Sequence, residues 1–304
     1  MIDLKGPALP AADPSGTDAL PTAWTRREHR SLSLMVGALG AGLAANSLLG
    51  PLALDRIDYS LSASLRNQLI GLDAVSLALV APLCALATVL IRRAHIAGAL
   101  IALAAGSYTA YMFVQYVVGP GYERYPRMLA LHLGLFVLGW LVALRGWEVA
   151  RAGVGPTITG AQRRRLSWAL LGLAAFVVAR YLPSLAGSVT DEVLPQEFRP
   201  EPAFFWTILL MDVGIVVPFA LTTAIALRRR APGATTSTYG LIGWFALVPP
   251  SVLAMAIAML VNDDPNASAG STALFGIATA VFTVVAVRLY RPLFGSATTP
   301  GRLR

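Results

Sequence analysis

Eight apolar runs alternate with short polar stretches along this chain: Ser31 to Leu54, Gln68 to Ile91, His95 to Val118, Arg127 to Glu148, Leu166 to Gly187, Ala203 to Leu227, Tyr239 to Val261 and Ser271 to Tyr290. The sixth shows why they read as membrane spans. At ~1.5 Å per residue, residues 203–227 cover ~37 Å, enough to cross a ~30 Å hydrocarbon core with some tilt. The pattern predicts an all-α polytopic transmembrane bundle of eight helices over residues 31–292. Residues 1–30 carry prolines and aspartates and no apolar run, which predicts a disordered tail, and residues 293–304 form a second, C-terminal tail. An Ala-x-Ala-like stretch at Leu43 to Asn46 resembles a signal-cleavage site, but the apolar pattern continues past it and the run is read as a span.

Charge orients the bundle. Of the 24 Lys and Arg residues, eighteen fall on the side of the two tails, five on the other side, and Arg180 lies within a helix. The acids are biased the opposite way, with Asp73 and Asp212 the two inside helices. By the positive-inside rule both termini are cytoplasmic, and the chain is expected in the plasma (inner) membrane with the lipid bilayer as its partner. Composition agrees: 56% of residues are hydrophobic and 13% charged, beyond the balance of soluble domains. The net charge of +8 does not imply nucleic acid, because the arginines end apolar runs and are not interleaved with aromatics. A single cysteine, Cys84, excludes intrachain disulfides and multi-thiolate metal sites, and His29, His95 and His132 lie on different segments, so no metal or cofactor is expected.

Two stretches match in spacing. Pro82 precedes Arg92-Arg93 by the same ten residues that separate Pro218 from Arg228-Arg229, and an aspartate lies upstream of each proline. This is compatible with a 4+4 parallel repeat, and equally with chance recurrence of prolines and terminal arginines.

Polar residues inside apolar runs are costly and therefore informative. By the orientation above, Asn46, Tyr108, Tyr111, Gln115, His132, Arg180 and Asp212 lie within ~15 Å of the outer ends of their helices, and Asp73 within ~8 Å. Together with Trp206 these are the candidate ligand-binding residues. Either they form an outward-facing polar pocket or they satisfy one another as interhelical glue. Asp212 is expected to pair with Arg180, while Asp73, beside Ser76 on its helix, is expected to reach water. Ala38, Gly42, Asn46 and Gly50 form a small-residue stripe; Arg180, Pro183, Ser184 and Gly187 share one face, as do Tyr108, Tyr111 and Gln115. Pro249-Pro250 removes two backbone donors and predicts a broken seventh helix.

No HExxH, GxSxG or Walker A pattern is present, so no catalytic residue is assigned. Asp55-Arg-Ile-Asp58 resembles the acidic loop motif of glycosyltransferases that use lipid-linked sugars, but the large external domain common there is missing. Asn266-Ala-Ser268 matches a glycosylation sequon. The string from Tyr108 to Pro126, with Phe204-Phe-Trp206 and Asp212, resembles a group of bacterial multi-pass membrane proteins of about eight helices with no assigned activity. That resemblance implies a membrane fold and carries over no functional residue. Three roles follow from these features: a small-molecule carrier or ligand-binding protein, a sensor or assembly factor acting through protein partners, and a membrane enzyme working at the outer face.

Overall fold

A computed structural model describes residues 26–57, 59–119, 126–153, 158–187 and 194–295. Eight helices long and apolar enough to cross a membrane follow one another: α1 (Arg26–Leu49), α2 (Ala63–Arg92), α3 (Ile96–Val118), α4 (Pro126–Ala152), α5 (Gly160–Gly187), α6 (Pro202–Arg229), α7 (Ala234–Val261) and α8 (Ala269–Gly295). No strand occurs among the described residues. Two boundaries differ from expectation. α1 begins at Arg26, inside the expected tail, and stops at Leu49 because Pro51 cannot continue it. α8 continues to Gly295, three residues past the expected end of the bundle. The remainder of both expected tails, residues 1–25 and 296–304, lies outside the described residues.

Three spans depart from regular α geometry where the prolines stand. α2 contains a π-helical turn over Ser76–Val80 and α6 one over Asp212–Val216, each ending two residues before its proline. The Ala81 N–H bonds the Ser76 carbonyl and the Val217 N–H bonds the Asp212 carbonyl, the i+5 pattern that widens a helix by one residue. α7 breaks as its sequence predicts: Ala234–Phe245 and Val248–Val261 are separate helical segments joined at Ala246 and Leu247. Pro249 and Pro250 open the second segment, where missing N–H groups are tolerated.

The centre of the bundle is α3. It is buried nearly all round, whereas α8 is the least buried span. α3 packs on α4 through glycines: a Cβ on Gly106 would come within 2.6 Å of the Ala143 nitrogen, and one on Gly139 within 2.8 Å of the Ala110 nitrogen. On its other side α3 meets the first half of α7. α2 packs against α7 as α6 packs against α3, and α4 touches α7 as α8 touches α3. α1 packs on α4, whereas α5 and α8 make no comparable contact and leave a groove between them.

The small-residue stripe of α1 is corrected in part. Asn46 and Gly50 are buried, but Ala38 is exposed, and the buried face runs through Leu32, Val36, Leu39, Leu43 and Ser47. Residues four apart advance 400° around a helix of 3.6 residues per turn, so a strict four-residue stripe drifts off one face by ~40° each step.

The loops at one end of the bundle are hydrogen-bonded to each other. Asp264 accepts from Ser64 Oγ at 2.8 Å, Asn67 Nδ2 at 2.9 Å and the Asn266 N–H at 2.9 Å, and Glu201 accepts from the Ser62 N–H at 2.8 Å. Asn266 spends its side-chain amide on Ser64 Oγ at 2.9 Å, so the sequon asparagine is engaged in this network. Burial acts to raise the Asp264 carboxyl, but the donors from Asn266, Asn67 and Ser64 outweigh it and hold the group below the usual carboxylate range. We call this the acid-rich end. At the opposite, arginine-rich end Arg228 Nε donates to Ser167 Oγ at 2.7 Å and its guanidinium lies 4.6 Å from the Trp168 ring, fastening α5 to α6.

Two predictions follow from this packing. Gly139→Leu should lower stability by about 1–3 kcal/mol through overpacking against α3, while Gly134→Leu, with nothing within 4 Å of its Cβ position, should be neutral; melting temperature in detergent is the readout. A carboxylate with a depressed folded pKa stabilises above its unfolded value and loses that contribution as pH falls. The Asp264 network should therefore weaken on acidification below about pH 4, and Asp264→Asn should flatten that part of the stability profile.

Candidate functional site

The expected single polar layer is divided by α3 into two clusters. The first lies between α1, α2, α3 and α4. Asp73 Oδ1 accepts from Tyr116 OH at 2.9 Å, Asn46 Nδ2 at 3.3 Å and Ser47 Oγ at 3.4 Å. With its amide nitrogen on the carboxylate, Asn46 offers Oδ1 to His132 Nε2 at 2.9 Å, which places the imidazole proton on Nε2. Tyr59 stacks on His132 at 5.8 Å between centroids and meets Tyr116 edge-on at 5.9 Å.

Asp73 is fully buried, contrary to the expectation that it reaches water. The chain after α1 folds back: Arg56 and Ile57 both bond the Leu49 carbonyl, and Ile57 and Tyr59 are buried. Ser76 donates its backbone N–H to the Asp73 carbonyl and opens the π turn. Asp73 Oδ2 has no hydrogen-bond partner among the described residues and rests against Gly50, where a Cβ would come within 2.6 Å of it. This cluster is closed and polar only at its centre.

The second cluster lies between α3, α5 and α6. Asp212 opens the π turn of α6 and is the shared acceptor for two tyrosines: Tyr111 OH donates to Oδ1, and Tyr181 OH donates to Oδ2 at 2.6 Å. The expected partner, Arg180, is present with Nη1 at 3.7 Å from Oδ2, an ion pair beyond hydrogen-bond length. Arg180 makes no hydrogen bond among the described residues; its guanidinium lies 5.5 Å from the Tyr181 ring and 5.4 Å from the Phe275 ring. Its side chain keeps 36% of its surface exposed against 7% for Asp212. Arg180 and Asp73 are thus not partners, and the two acids do not converge on one cation.

Beside this cluster is a cavity of about 310 Å³. Arg180, Asp212, Tyr111, Tyr181 and Gln115 form its polar wall, and Phe245, Val248 and Pro249 bring the break of α7 to it. Glu197, Asn266 and Ser268 from the loops of the acid-rich end also line it.

Other candidates fall elsewhere. Tyr108 is wholly buried and bonds Ser251 Oγ at 2.8 Å, tying α3 to the second half of α7. Trp206 is separate from both clusters: 46% exposed on α6, it touches its neighbour Phe205, and it is Phe205 that lines the cavity. Pro183 is exposed and Ser184 and Gly187 half-buried, so the face chosen from Arg180 is not the packed one. The buried stripe of α5 runs through Leu166, Leu170, Leu173, Val177 and Tyr181, a helical spacing that leads directly to the missed tyrosine. Tyr116, Ser47 and Tyr59 were missed as well. Asp55 is exposed and paired to Arg66 at 2.5 Å, while Asp58 lies outside the described residues. So do residues 120–125 of the Tyr108 to Pro126 string and 188–193 of the loop after α5.

These features define an integral, multi-pass membrane protein with a polar cavity beside its central helix. No family model, curated protein or solved structure matches the chain.

Because two tyrosines rather than Arg180 hold Asp212, the substitutions should separate. Arg180→Gln should leave the fold intact. Asp212→Leu strands two buried hydroxyls at about 1–3 kcal/mol each and should lower the melting temperature, and Asp73→Leu should do the same through Tyr116, Asn46 and Ser47.

Proposed function

We propose that this protein binds a small molecule in the Arg180 cavity and acts as a carrier or ligand-binding protein of the plasma membrane, with both termini cytoplasmic and the cavity opening to the outside. The observation that carries this reading is Arg180 itself. A guanidinium within a membrane span ordinarily spends its donors on protein acceptors. Here Asp212 is already held by Tyr111 and Tyr181, and the five N–H groups of Arg180 remain for an acceptor in the cavity. Gln115 and Gln68 add neutral donors to the same wall. The recognised group is an oxyanion, since a planar guanidinium binds carboxylate or phosphate oxygens in pairs.

Cavity shape supports the carrier role. Broken helices and widened turns line binding sites in transporters because they tolerate rearrangement, and the break of α7 and the π turn of α6 both border this space. The orientation rests on the arginine and lysine asymmetry of the loops.

The sole cysteine is buried, which gives a quiet background for labelling. With Cys84 retained, Ser268→Cys should react with a membrane-impermeant maleimide on intact cells, and Ala231→Cys only after permeabilisation; the reverse pattern overturns the orientation. For binding, purified protein in lipid nanodiscs should be stabilised by one or more members of a panel of organic acids and phosphate esters, and Arg180→Gln should weaken that binding by about tenfold or more, the worth of a charge-assisted hydrogen bond. A panel with no Arg180-dependent binder contradicts the reading.

A further inference from the structure

The polar cavity does not end at its apolar wall. Leu173, Phe176, Leu274 and Phe282 line both the cavity and a second space of about 410 Å³, the groove left between α5 and α8. Every side chain lining that groove is apolar, from Ala169 to Phe176 on α5 and from Leu274 to Val285 on α8. The two spaces are ordered along the membrane normal. Arg180 and Phe275 lie toward the acid-rich end, and the groove leads away from them, down α5 toward Ala169 and along α8 toward Val285, a run of ~16 Å at the rise of a helix.

We infer that the ligand of the Arg180 cavity is a single-chain amphiphile with an oxyanion head group, which enters sideways from the bilayer between α5 and α8. This rests on the ligand site proposed above and specifies its substrate class. The head meets the free donors of Arg180, and the chain occupies the groove, with its polar and apolar ends in the order that any lipid of that leaflet presents. Lateral entry follows from the packing of α8. Ile242 of α7 forms the floor of the groove, while Ile277, Val281 and Val284 of α8 are exposed, so this helix borders lipid directly. Among the described residues lining the two spaces Arg180 is the only cation; of the two acids there, Asp212 is capped by two hydroxyls and Glu197 lies in the turn before α6, so the guanidinium is left to an anionic head.

The test uses the full chain in nanodiscs with a palmitate analogue carrying a photoactivatable diazirine near the end of its chain, and maps the cross-links by peptide mass spectrometry. Labelling is expected on Phe176, Ile277, Val281 and Val285, competed by palmitate but neither by hexadecanol, which lacks the charge, nor by butyrate, which lacks the chain. Arg180→Gln should reduce labelling by about tenfold. Gly172→Trp, at a groove-lining position with nothing within 4 Å of its Cβ, should abolish it while leaving the melting temperature unchanged. Labelling that hexadecanol competes equally well and Arg180→Gln does not alter is contact with bulk lipid and overturns the inference. If short organic anions bind in an Arg180-dependent manner but palmitate does not label the groove, the lateral amphiphile route is wrong and the ligand site stands. If neither binds through Arg180, both fall.

Discussion

A carboxylate inside a bilayer has no water to solvate it, and this protein holds two. Each must be supplied with donors by neighbouring helices, and α3 supplies a tyrosine to both: Tyr116 to Asp73 on one side and Tyr111 to Asp212 on the other. Residues 111 and 116 are five apart, about 500° around the helix, so they project toward different neighbours. The position of α3 at the centre of the bundle follows from this demand as much as from the glycine contacts with α4. It is the one helix that reaches α1, α2 and α4 with one side and α6 and α7 with the other.

The two clusters are built from similar groups and end in different states. Around Asp73 the chain after α1 folds back, Tyr59 closes over His132, and Tyr116, Asn46 and Ser47 all donate to one carboxylate oxygen. Such a network ties four helices together. Around Asp212 the tyrosines have done the same, but Arg180 stands outside the network and faces open volume. The difference arises at the α5–α8 contact, which has no counterpart to the close packing of α1 on α4. Where the bundle is complete the polar groups are glue; where one contact is missing, the same chemistry borders a cavity.

Backbone irregularity accompanies this opening. The π turn at Asp212 and the break at Ala246 and Leu247 both lie at the cavity, and each interrupts the regular ladder of a span at the depth where an α-helix alone would satisfy every backbone group. Matching π turns in α2 and α6 stand at the same distance before Pro82 and Pro218.

By itself the sequence determined the eight spans, the broken seventh helix and the pairing of Arg180 with Asp212. These depend on local quantities: the length of an apolar run, the missing N–H of proline, and the cost of a lone charge in hydrocarbon. It did not determine which polar groups share a neighbourhood. Asp73 lies close to a helix end in sequence, yet it is fully buried among Asn46, Ser47, Gly50 and Tyr116, and the loop after α1 turns back to bury Ile57 and Tyr59 as well, which nothing in the pattern announces. Tyr181 was hidden behind Arg180, since a charge draws attention to its own face while the buried stripe runs one residue away. Trp206 was misplaced for the converse reason: an aromatic near a helix end serves lipid and cavity equally well until rotation about the helix axis is known. That rotation, and the gap between α5 and α8, are set by how helices distant in the chain pack, and only the tertiary structure decided them.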